Sequence, residues 1–95
     1  GDDYLYGRDG ADSVYGGSGR DVIFGGTGAD TLEGGSDDDR VYGGEGADRL
    51  LGDNGNDQLF GGADGDSLFG GNNDDLLEGG FGNDTLVGGS GNDAA

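Results

Sequence analysis

The chain contains no cysteine, proline, methionine, tryptophan or histidine, and its four basic residues are all arginine. Without cysteine it forms no disulfide and no thiolate metal site. Without histidine its serines have no base to activate them, which excludes a serine-nucleophile active site. We therefore expect no enzymatic activity in this chain. No apolar run approaches the ~20 residues that a membrane-spanning helix needs.

Positive charge is also scarce, since four arginines face 21 acidic residues and the formal net charge is −17. Nucleic acids and anionic membranes attract surfaces of the opposite sign, so neither is an expected partner of this segment. Hydrophobic residues make up only 29% of the 95 residues, too few for an ordinary globular core. Composition alone predicts a disordered chain, unless something neutralises the charge.

The abundant residues are glycine and aspartate, and they follow a nine-residue period. With position 1 placed at Gly7, residues 7–87 form nine full nonapeptides without insertion or deletion. Residues 1–6 are the end of an earlier repeat, and residues 88–95 are the first eight positions of a later one. We expect a single repeat domain over residues 1–95. Because it starts and ends inside a repeat, we expect it to be a fragment of a larger protein.

Two positions of the nonapeptide carry the same type of residue in every repeat. Position 6 is always aspartate, and position 8 is always apolar. The aspartates are Asp3, Asp12, Asp21, Asp30, Asp39, Asp48, Asp57, Asp66, Asp75, Asp84 and Asp93. The apolar residues are Leu5, Val14, Ile23, Leu32, Val41, Leu50, Leu59, Leu68, Leu77, Leu86 and Ala95.

The columns predict an all-β solenoid. Positions 7 to 9 are rich in β-branched and aromatic residues and predict a strand of three residues, whereas the glycines of positions 1, 2 and 4 predict turns. The middle residue of such a strand, position 8, must face inward. A circuit of two turns and two strands takes two nonapeptides, so we expect about 18 residues per coil and about five coils. Glycine at this density excludes a helix.

This architecture requires a cation. Eleven inward side chains contribute much less than the ordering of 95 residues costs. Aspartates two repeats apart would also stack on one edge of the solenoid and repel one another. Ca²⁺ accepts six to eight oxygen ligands in flexible geometry, whereas Mg²⁺ keeps its waters. Zinc and copper prefer histidine or cysteine, which are absent.

Residues 25–33, Gly-Gly-Thr-Gly-Ala-Asp-Thr-Leu-Glu, resemble the nonapeptide GGxGxDxUx of the RTX, or haemolysin-type, calcium-binding repeat, a standard example of a Ca²⁺-binding β-helix. The resemblance covers the whole chain. It implies a right-handed parallel β-roll with Ca²⁺ held between the turns of successive coils. It also implies a bacterial protein exported by type I secretion, unfolded in the calcium-poor cytosol and folded outside the cell.

The resemblance further implies the ligands. All eleven position-6 aspartates would supply side-chain oxygens, and carbonyls of positions 2 and 4 would complete the shells. Those carbonyls belong to Gly10, Gly17, Gly19, Gly26, Gly28, Gly35, Asp37, Gly44, Gly46, Asp53, Gly55, Gly62, Asp64, Gly71, Asn73, Gly80, Gly82, Gly89 and Gly91.

Pairing each aspartate with the one two repeats further on predicts the number of sites. One edge offers five pairs, from Asp3/Asp21 to Asp75/Asp93, and the other offers four, from Asp12/Asp30 to Asp66/Asp84. The Asp3 site lacks part of its turn, so we expect about eight calcium ions and at most nine. Their charge would neutralise the acidity of the chain, and disorder is then expected only without calcium.

Several turns depart from the glycine pattern. Arg8 and Asp53 replace the glycine of position 2, and Asp37, Asp64 and Asn73 replace that of position 4. Aspartate and asparagine tolerate the left-handed backbone region better than most residues, so we expect the position-4 replacements to be mild. Arg8 makes the first turn the one most prone to fraying.

Position 9 leaves two interpretations open. Tyr6, Phe24, Tyr42 and Phe60 recur at every second repeat on one face. They could dock a flanking domain or another chain, or they could stack as a ladder that favours the strands.

Two functions other than that of a structural module occur in proteins with such repeats. RTX-type ice-binding adhesins present a regular threonine at position 3, but here that position changes from Asp9 to Ser18 to Thr27 and beyond. Secreted proteases, lipases and toxins also carry such repeats, but their activity would belong to another domain of the parent protein.

Overall fold

The computed structural model describes all 95 residues and contains only β-strands. The ten strands are β1 (Tyr4–Asp9), β2 (Ser13–Gly17), β3 (Val22–Thr27), β4 (Thr31–Gly35), β5 (Arg40–Glu45), β6 (Arg49–Asp53), β7 (Gln58–Gly62), β8 (Ser67–Gly71), β9 (Leu76–Gly80) and β10 (Thr85–Gly89). None of the elements is a helix that could cross a membrane.

The strands form two parallel five-stranded sheets, ordered β1-β3-β5-β7-β9 and β10-β8-β6-β4-β2. We call the first the odd sheet and the second the even sheet. Each residue pairs with the equivalent residue two repeats further on, as Leu5 does with Ile23 and Ile23 with Val41. The chain is therefore a parallel β-solenoid of about five coils with about 18 residues each, which confirms the predicted architecture.

The coils are held mainly by their neighbours. Sixteen backbone hydrogen bonds lie outside the strand ladders, and each joins residues 17 or 19 positions apart, such as the Thr31 N–H to the Asp12 carbonyl at 2.8 Å. A single coil therefore has little to stabilise it alone, as in other repeat proteins.

The core is one side chain wide on each sheet. Seven position-8 residues are at most 1% exposed, and they are Ile23, Leu32, Val41, Leu50, Leu59, Leu68 and Leu77. The predicted inward orientation is thus confirmed for the inner coils. The expectation of eleven buried side chains was wrong, because Leu5, Val14 and Leu86 are only partly buried and Ala95 is exposed. End coils are covered by a neighbour on one side only.

The strands are longer than the three residues predicted. They have five or six residues and run from position 7 through position 9 into position 2 or 3 of the next repeat, as β4 does from Thr31 to Gly35 and β3 from Val22 to Thr27. In the inner coils, the alternation of a β-strand then turns positions 6, 8 and 1 toward the interior. The position-1 glycine therefore belongs to the strand and not to the turn.

Steric space explains the invariant glycine at position 1. The backbone of Gly43 does not have a positive φ, so conformation does not require glycine there. A Cβ on Gly43 would lie 2.6 Å from the Oδ2 atom of Asp48 and 2.6 Å from the carbonyl oxygen of Gly61. Glycine at position 1 thus allows the aspartate of position 6 to fold back against the strand.

We predict that Gly43→Ala destabilises the folded chain by about 1–3 kcal/mol, the range found for overpacked interiors. Urea denaturation at fixed saturating calcium would measure the change. Gly17→Asn is the control, because a Cβ at Gly17 meets no atom within 4 Å and asparagine tolerates its φ of 94°. Equal stability of Gly43→Ala and the unaltered chain would contradict this steric explanation.

Positions 2 and 4 do need the left-handed region. Gly26 and Gly28 have φ values of 99° and 102°. The residues that replace glycine adopt the same region, with φ of 78° at Arg8, 75° at Asp37, 75° at Asp53, 73° at Asp64 and 74° at Asn73. Asp37 and Asp64 also gain a contact, because each accepts a 2.9 Å hydrogen bond from the position-4 N–H of the preceding coil. This contact compensates for part of the backbone strain.

Candidate metal centre

The position-6 aspartates lie inside the solenoid. Seven of them are at most 3% exposed, and they are Asp21, Asp30, Asp39, Asp48, Asp57, Asp66 and Asp75. Each precedes a core residue by two positions, so strand alternation turns both side chains inward. The aspartates therefore line the inner side of the turns along each edge of the solenoid.

The structure brings together all nine aspartate pairs that the repeat spacing predicts. In each pair, the backbone N–H of the first aspartate donates to the Oδ1 atom of the second at 2.8 or 2.9 Å. The carboxylate is thereby oriented along the solenoid axis. Its Oδ1 atom accepts a hydrogen bond between coils, and its Oδ2 atom takes no part in that bond.

That second oxygen has no partner. The Oδ2 atoms of eight aspartates are buried without any hydrogen bond: Asp12, Asp21, Asp30, Asp39, Asp48, Asp57, Asp66 and Asp75. A buried carboxylate oxygen without a partner is costly, and here the cost recurs in every inner coil. A bound cation would offset both the missing contacts and the repulsion along the column, so the residues present fit a metal ion.

Burial also perturbs the acidity of the column. Desolvation, together with the charges of Asp39 and Asp75, raises the pKa of Asp57 to about 7, against the lowering effect of its hydrogen bond. Desolvation raises the pKa of Asp39 and of Asp48 to about 6. The pKa values of Asp66 and Asp75 are raised for the same reason. The metal-free fold thus holds these carboxyls in their neutral form more readily than water does.

A pH dependence follows for the metal-free chain. In the unfolded chain the carboxyls ionise near pH 4, but in the fold Asp57 ionises only near pH 7. Below pH 4 both states are protonated and burial carries no ionic penalty. As the pH rises from about 4 to 7, the unfolded state alone loses its protons and the fold is destabilised.

We therefore expect more β-structure at pH 4.5 than at pH 8 in calcium-free buffer. Far-UV circular dichroism would measure it, with light scattering to exclude aggregation as the source of the signal. A lower β-structure content in acid, in a clear solution, would contradict the expectation.

The atoms that could coordinate a metal ion are all oxygens, and the aspartate side chains alone do not supply enough of them for a calcium shell. No three acidic side chains converge on a point that could hold a metal ion. Since calcium takes six to eight oxygens, carbonyl oxygens would have to supply the remainder.

The two predicted classes of carbonyl differ in availability. Position-2 carbonyls such as those of Gly35 and Asp53 already accept an N–H from the next coil, at 3.0 and 2.8 Å. No position-4 carbonyl accepts a backbone hydrogen bond. The position-4 carbonyls therefore keep both lone pairs free, but the ligand role of either class stays a prediction.

A parallel solenoid with buried, unpaired carboxylates between its coils defines a class of protein, the cation-binding repeat module. A family model of the RTX calcium-binding nonapeptide repeat, in four copies, matches residues 1–32, 24–59 and 60–94. The chain belongs to this family and is a calcium-binding repeat module. Proteins that carry such repeats are typically secreted by bacteria. A search of curated proteins gives no match.

The aromatic residues at position 9 form the predicted ladder. Tyr6, Phe24, Tyr42 and Phe60 stack with ring centroids 5.1, 5.0 and 4.9 Å apart and interplanar angles of 7°, 6° and 13°. The stacking interpretation is therefore confirmed. On the even sheet, the Arg49 guanidinium lies 5.2 Å from the centre of the Phe69 ring.

The structure also reveals a polar ladder that the sequence reasoning missed. On the edge that carries Asp3 and Asp21, the position-5 side chains accept backbone N–H groups from the neighbouring coil at 2.8 or 2.9 Å. The accepting residues are Asp2, Asp38, Asn56 and Asp74. Sorting position 5 by alternate repeats would have revealed this ladder, because the other edge carries Ala11, Ala29 and Ala47 there.

Proposed function

We propose that this chain is a calcium-triggered folding module of a protein exported by bacteria. The observation that carries the proposal is the set of eight buried Oδ2 atoms without a hydrogen-bond partner. They recur once per repeat and form one column on each of the two edges of the solenoid, between adjacent coils, where an oxygen-preferring cation fits the donor set.

In this proposal each ion is shared by two successive coils. Equivalent aspartates of adjacent coils supply the side-chain oxygens, and turn carbonyls supply the rest, with those of position 4 the better candidates because they lack backbone partners. Nine pairs set an upper limit of nine ions, and the incomplete turn before Asp3 reduces the expected number to about eight. Eight divalent ions would bring the net charge of −17 close to zero.

The bound ion supplies positive charge at the point where the carboxylates meet. The chain contributes the geometry: the Asp30 N–H fixes one oxygen of Asp48, and the Asp48 N–H fixes one oxygen of Asp66. The position-1 glycines leave room for the second oxygen of each carboxylate. Because every ligand set spans two coils, folding of one coil prepares half of the next site, and binding should be cooperative.

This coupling explains why such a module suits export. Low calcium inside the cell would leave the column charged and the chain unfolded, which suits passage through a narrow secretion channel. Higher calcium outside would fold it. The module itself would have no catalytic role, and any protease, lipase or toxin activity would reside in flanking domains of the parent protein.

Native mass spectrometry combined with circular dichroism tests the proposal. We expect about eight bound ions, and we expect β-structure to appear over the same range of calcium concentrations as ion uptake. Magnesium at equal concentration is the matched control and should induce little structure, since it keeps its waters. Calcium uptake without a change in β-structure would refute the folding role, and absence of uptake would refute the site.

A further inference from the structure

One cavity on the outer surface of the odd sheet is lined by two of the four arginines in the chain, Arg20 and Arg40. Its volume is about 340 Å³, the size of a small-molecule site, and we call it the arginine cavity. Arg20 comes two residues before Val22 of β3, and Arg40 is the residue of β5 that pairs with Val22. The two arginines therefore belong to adjacent coils and border the same stretch of surface.

Neither guanidinium in this cavity is paired with a carboxylate. The three hydrogen bonds between side chains join threonine, serine, asparagine and aspartate residues, and none of them involves an arginine. The carboxylate of Asp38, which also lines the cavity, is directed to the following coil, where its Oδ1 atom accepts the Asn56 N–H at 2.8 Å. Both guanidiniums therefore keep their donor groups available to a ligand.

The polar ladder of position 5 is interrupted at this cavity. Elsewhere the position-5 side chain accepts the backbone N–H of the position-5 residue in the next coil, as Asn56 does from Asp74 at 2.9 Å. The Arg20 side chain has only donor groups, so it cannot accept the N–H of Asp38. That N–H forms no hydrogen bond within the chain. Since each N–H of the ladder is directed to the preceding coil, the Asp38 N–H is directed toward Arg20.

Calcium determines the sign of the charge around the cavity. Asp21 and Asp39 also contribute to its lining, but their side chains are buried and belong to the predicted calcium sites. Without calcium, three carboxylates oppose two guanidiniums. Bound ions would neutralise the two buried carboxylates and leave two guanidiniums against the single carboxylate of Asp38. This step rests on the proposed function, and it restricts anion binding to the calcium-loaded chain.

We propose that the arginine cavity binds a carboxylate group. One carboxylate oxygen accepts the Asp38 N–H, in the role that a position-5 side-chain oxygen has in other coils. The Arg20 guanidinium donates to the same group, because its planar fork matches a carboxylate, and Arg40 donates from the adjacent strand. A single negative charge is favoured over a phosphate, since the Asp38 carboxylate repels the second charge. The carboxylate belongs either to a small free acid or to the carboxyl terminus of a peptide.

Amide NMR of the full chain in saturating calcium tests the proposal. The probes are acetate, as a free acid, and acetyl-diglycine, as a peptide carboxyl terminus, each exchanged for chloride at constant ionic strength. Acetyl-diglycine amide, which has no carboxylate, is the matched control. We expect the Asp38 amide proton to shift downfield and to saturate with at least one carboxylate but not with the amide. The tighter of the two probes identifies the source. Absence of a saturable shift with both, or an equal shift with the amide, would overturn the proposal.

The substitution Arg20→Asn separates the cavity from general charge effects. Asparagine can accept the Asp38 N–H, as Asn56 does for Asp74, so the variant completes the polar ladder while it removes one guanidinium. We expect the fold to persist and carboxylate binding to weaken about tenfold or more. The matched control is Arg8→Asn, which removes the same charge outside the cavity at a φ of 78° that asparagine tolerates. It should bind within about twofold of the unaltered chain. Equal weakening by both substitutions would overturn the assignment.

Circular dichroism and calcium uptake of each variant separate this proposal from the proposed function. A chain that takes up calcium and folds, but whose Asp38 amide does not respond to carboxylates, would overturn the cavity alone. A chain that does not fold in calcium would refute the proposed function, and with it the cavity, which exists only in the fold. Arg40→Gln should weaken binding severalfold and keep the fold, because Gln58 occupies the equivalent position in the next coil.

Discussion

Removal of calcium is expected to unfold the chain completely. The seven core residues form two columns one side chain wide, and they are the only fully buried apolar side chains. The same interior contains seven aspartates that are at most 3% exposed and that also stack along the solenoid axis. Their charges oppose the stabilisation that the core provides. Once the cation is gone, repulsion and unpaired oxygens act in every inner coil at once. Because each coil depends on its neighbours, loss should spread along the whole solenoid.

Small-angle X-ray scattering and circular dichroism with a chelator would measure this transition. The folded chain has a Cα radius of gyration of 11.5 Å, whereas an unfolded chain of this length reaches about 30 Å. We expect the larger value in chelator at pH 8 and recovery of the compact state when calcium is restored. A chain that stays compact and β-structured after complete metal removal would contradict calcium-coupled folding.

Substitution of Asp48 by alanine is expected to have the largest effect of any single side-chain change. Asp48 lies in mid-solenoid and belongs to two predicted sites, one with Asp30 and one with Asp66. Asp48→Ala removes a charged ligand from both sites and also the oxygen that accepts the Asp30 N–H. Since loss of one partner of a buried charge pair costs about 3–5 kcal/mol, the calcium midpoint of folding should rise well over tenfold.

Asp48→Asn separates charge from hydrogen bonding. Asparagine keeps an oxygen for the Asp30 N–H but removes the negative charge, so calcium affinity should still fall. The matched control is Asp38→Asn, which removes an equal charge from the exposed polar ladder. Asn56 already accepts a 2.9 Å hydrogen bond in that ladder, so asparagine is compatible with it.

Calcium titrations followed by circular dichroism would compare the three variants. We expect a large shift for both Asp48 substitutions and a shift of less than about twofold for Asp38→Asn. If Asp38→Asn shifted the midpoint as much as Asp48→Asn does, net charge alone would govern folding and the column would have no special role. An unchanged midpoint in Asp48→Ala would remove Asp48 from the predicted sites.

The nine-residue period of the sequence alone determined most of the architecture. Glycine at position 1 and aspartate at position 6 recur without exception, so repeat length, coil size and the pairing of aspartates such as Asp21 with Asp39 follow from arithmetic. The inward position 8 follows from strand alternation. The period predicts the fold strongly because a single backbone conformation must suit the side chains of every repeat.

Strand length was predicted wrongly for a physical reason. Glycine indicates turns in most sequences, so Gly34 and Gly43 were assigned to turns, whereas both lie inside strands. Their role is to leave space for Asp39 and Asp48, five residues further on, and this requirement is steric and not conformational. Composition cannot distinguish a glycine needed for its φ, such as Gly26, from one needed for its missing Cβ.

The sequence by itself determined the repeat, the coil of two nonapeptides, the inward apolar column and the aspartates to be paired. Only the tertiary structure decided that these aspartates lie inside the turns, with one oxygen bonded to the preceding coil and the other left without a partner. It also decided that the strands continue through the position-1 glycines and that position-4 carbonyls are freer than those of position 2. The physical reason is that the hydrogen bonds of the aspartates and of the carbonyls form between coils, among residues two repeats apart, and that the space around the position-1 glycines depends on how the chain folds back on itself.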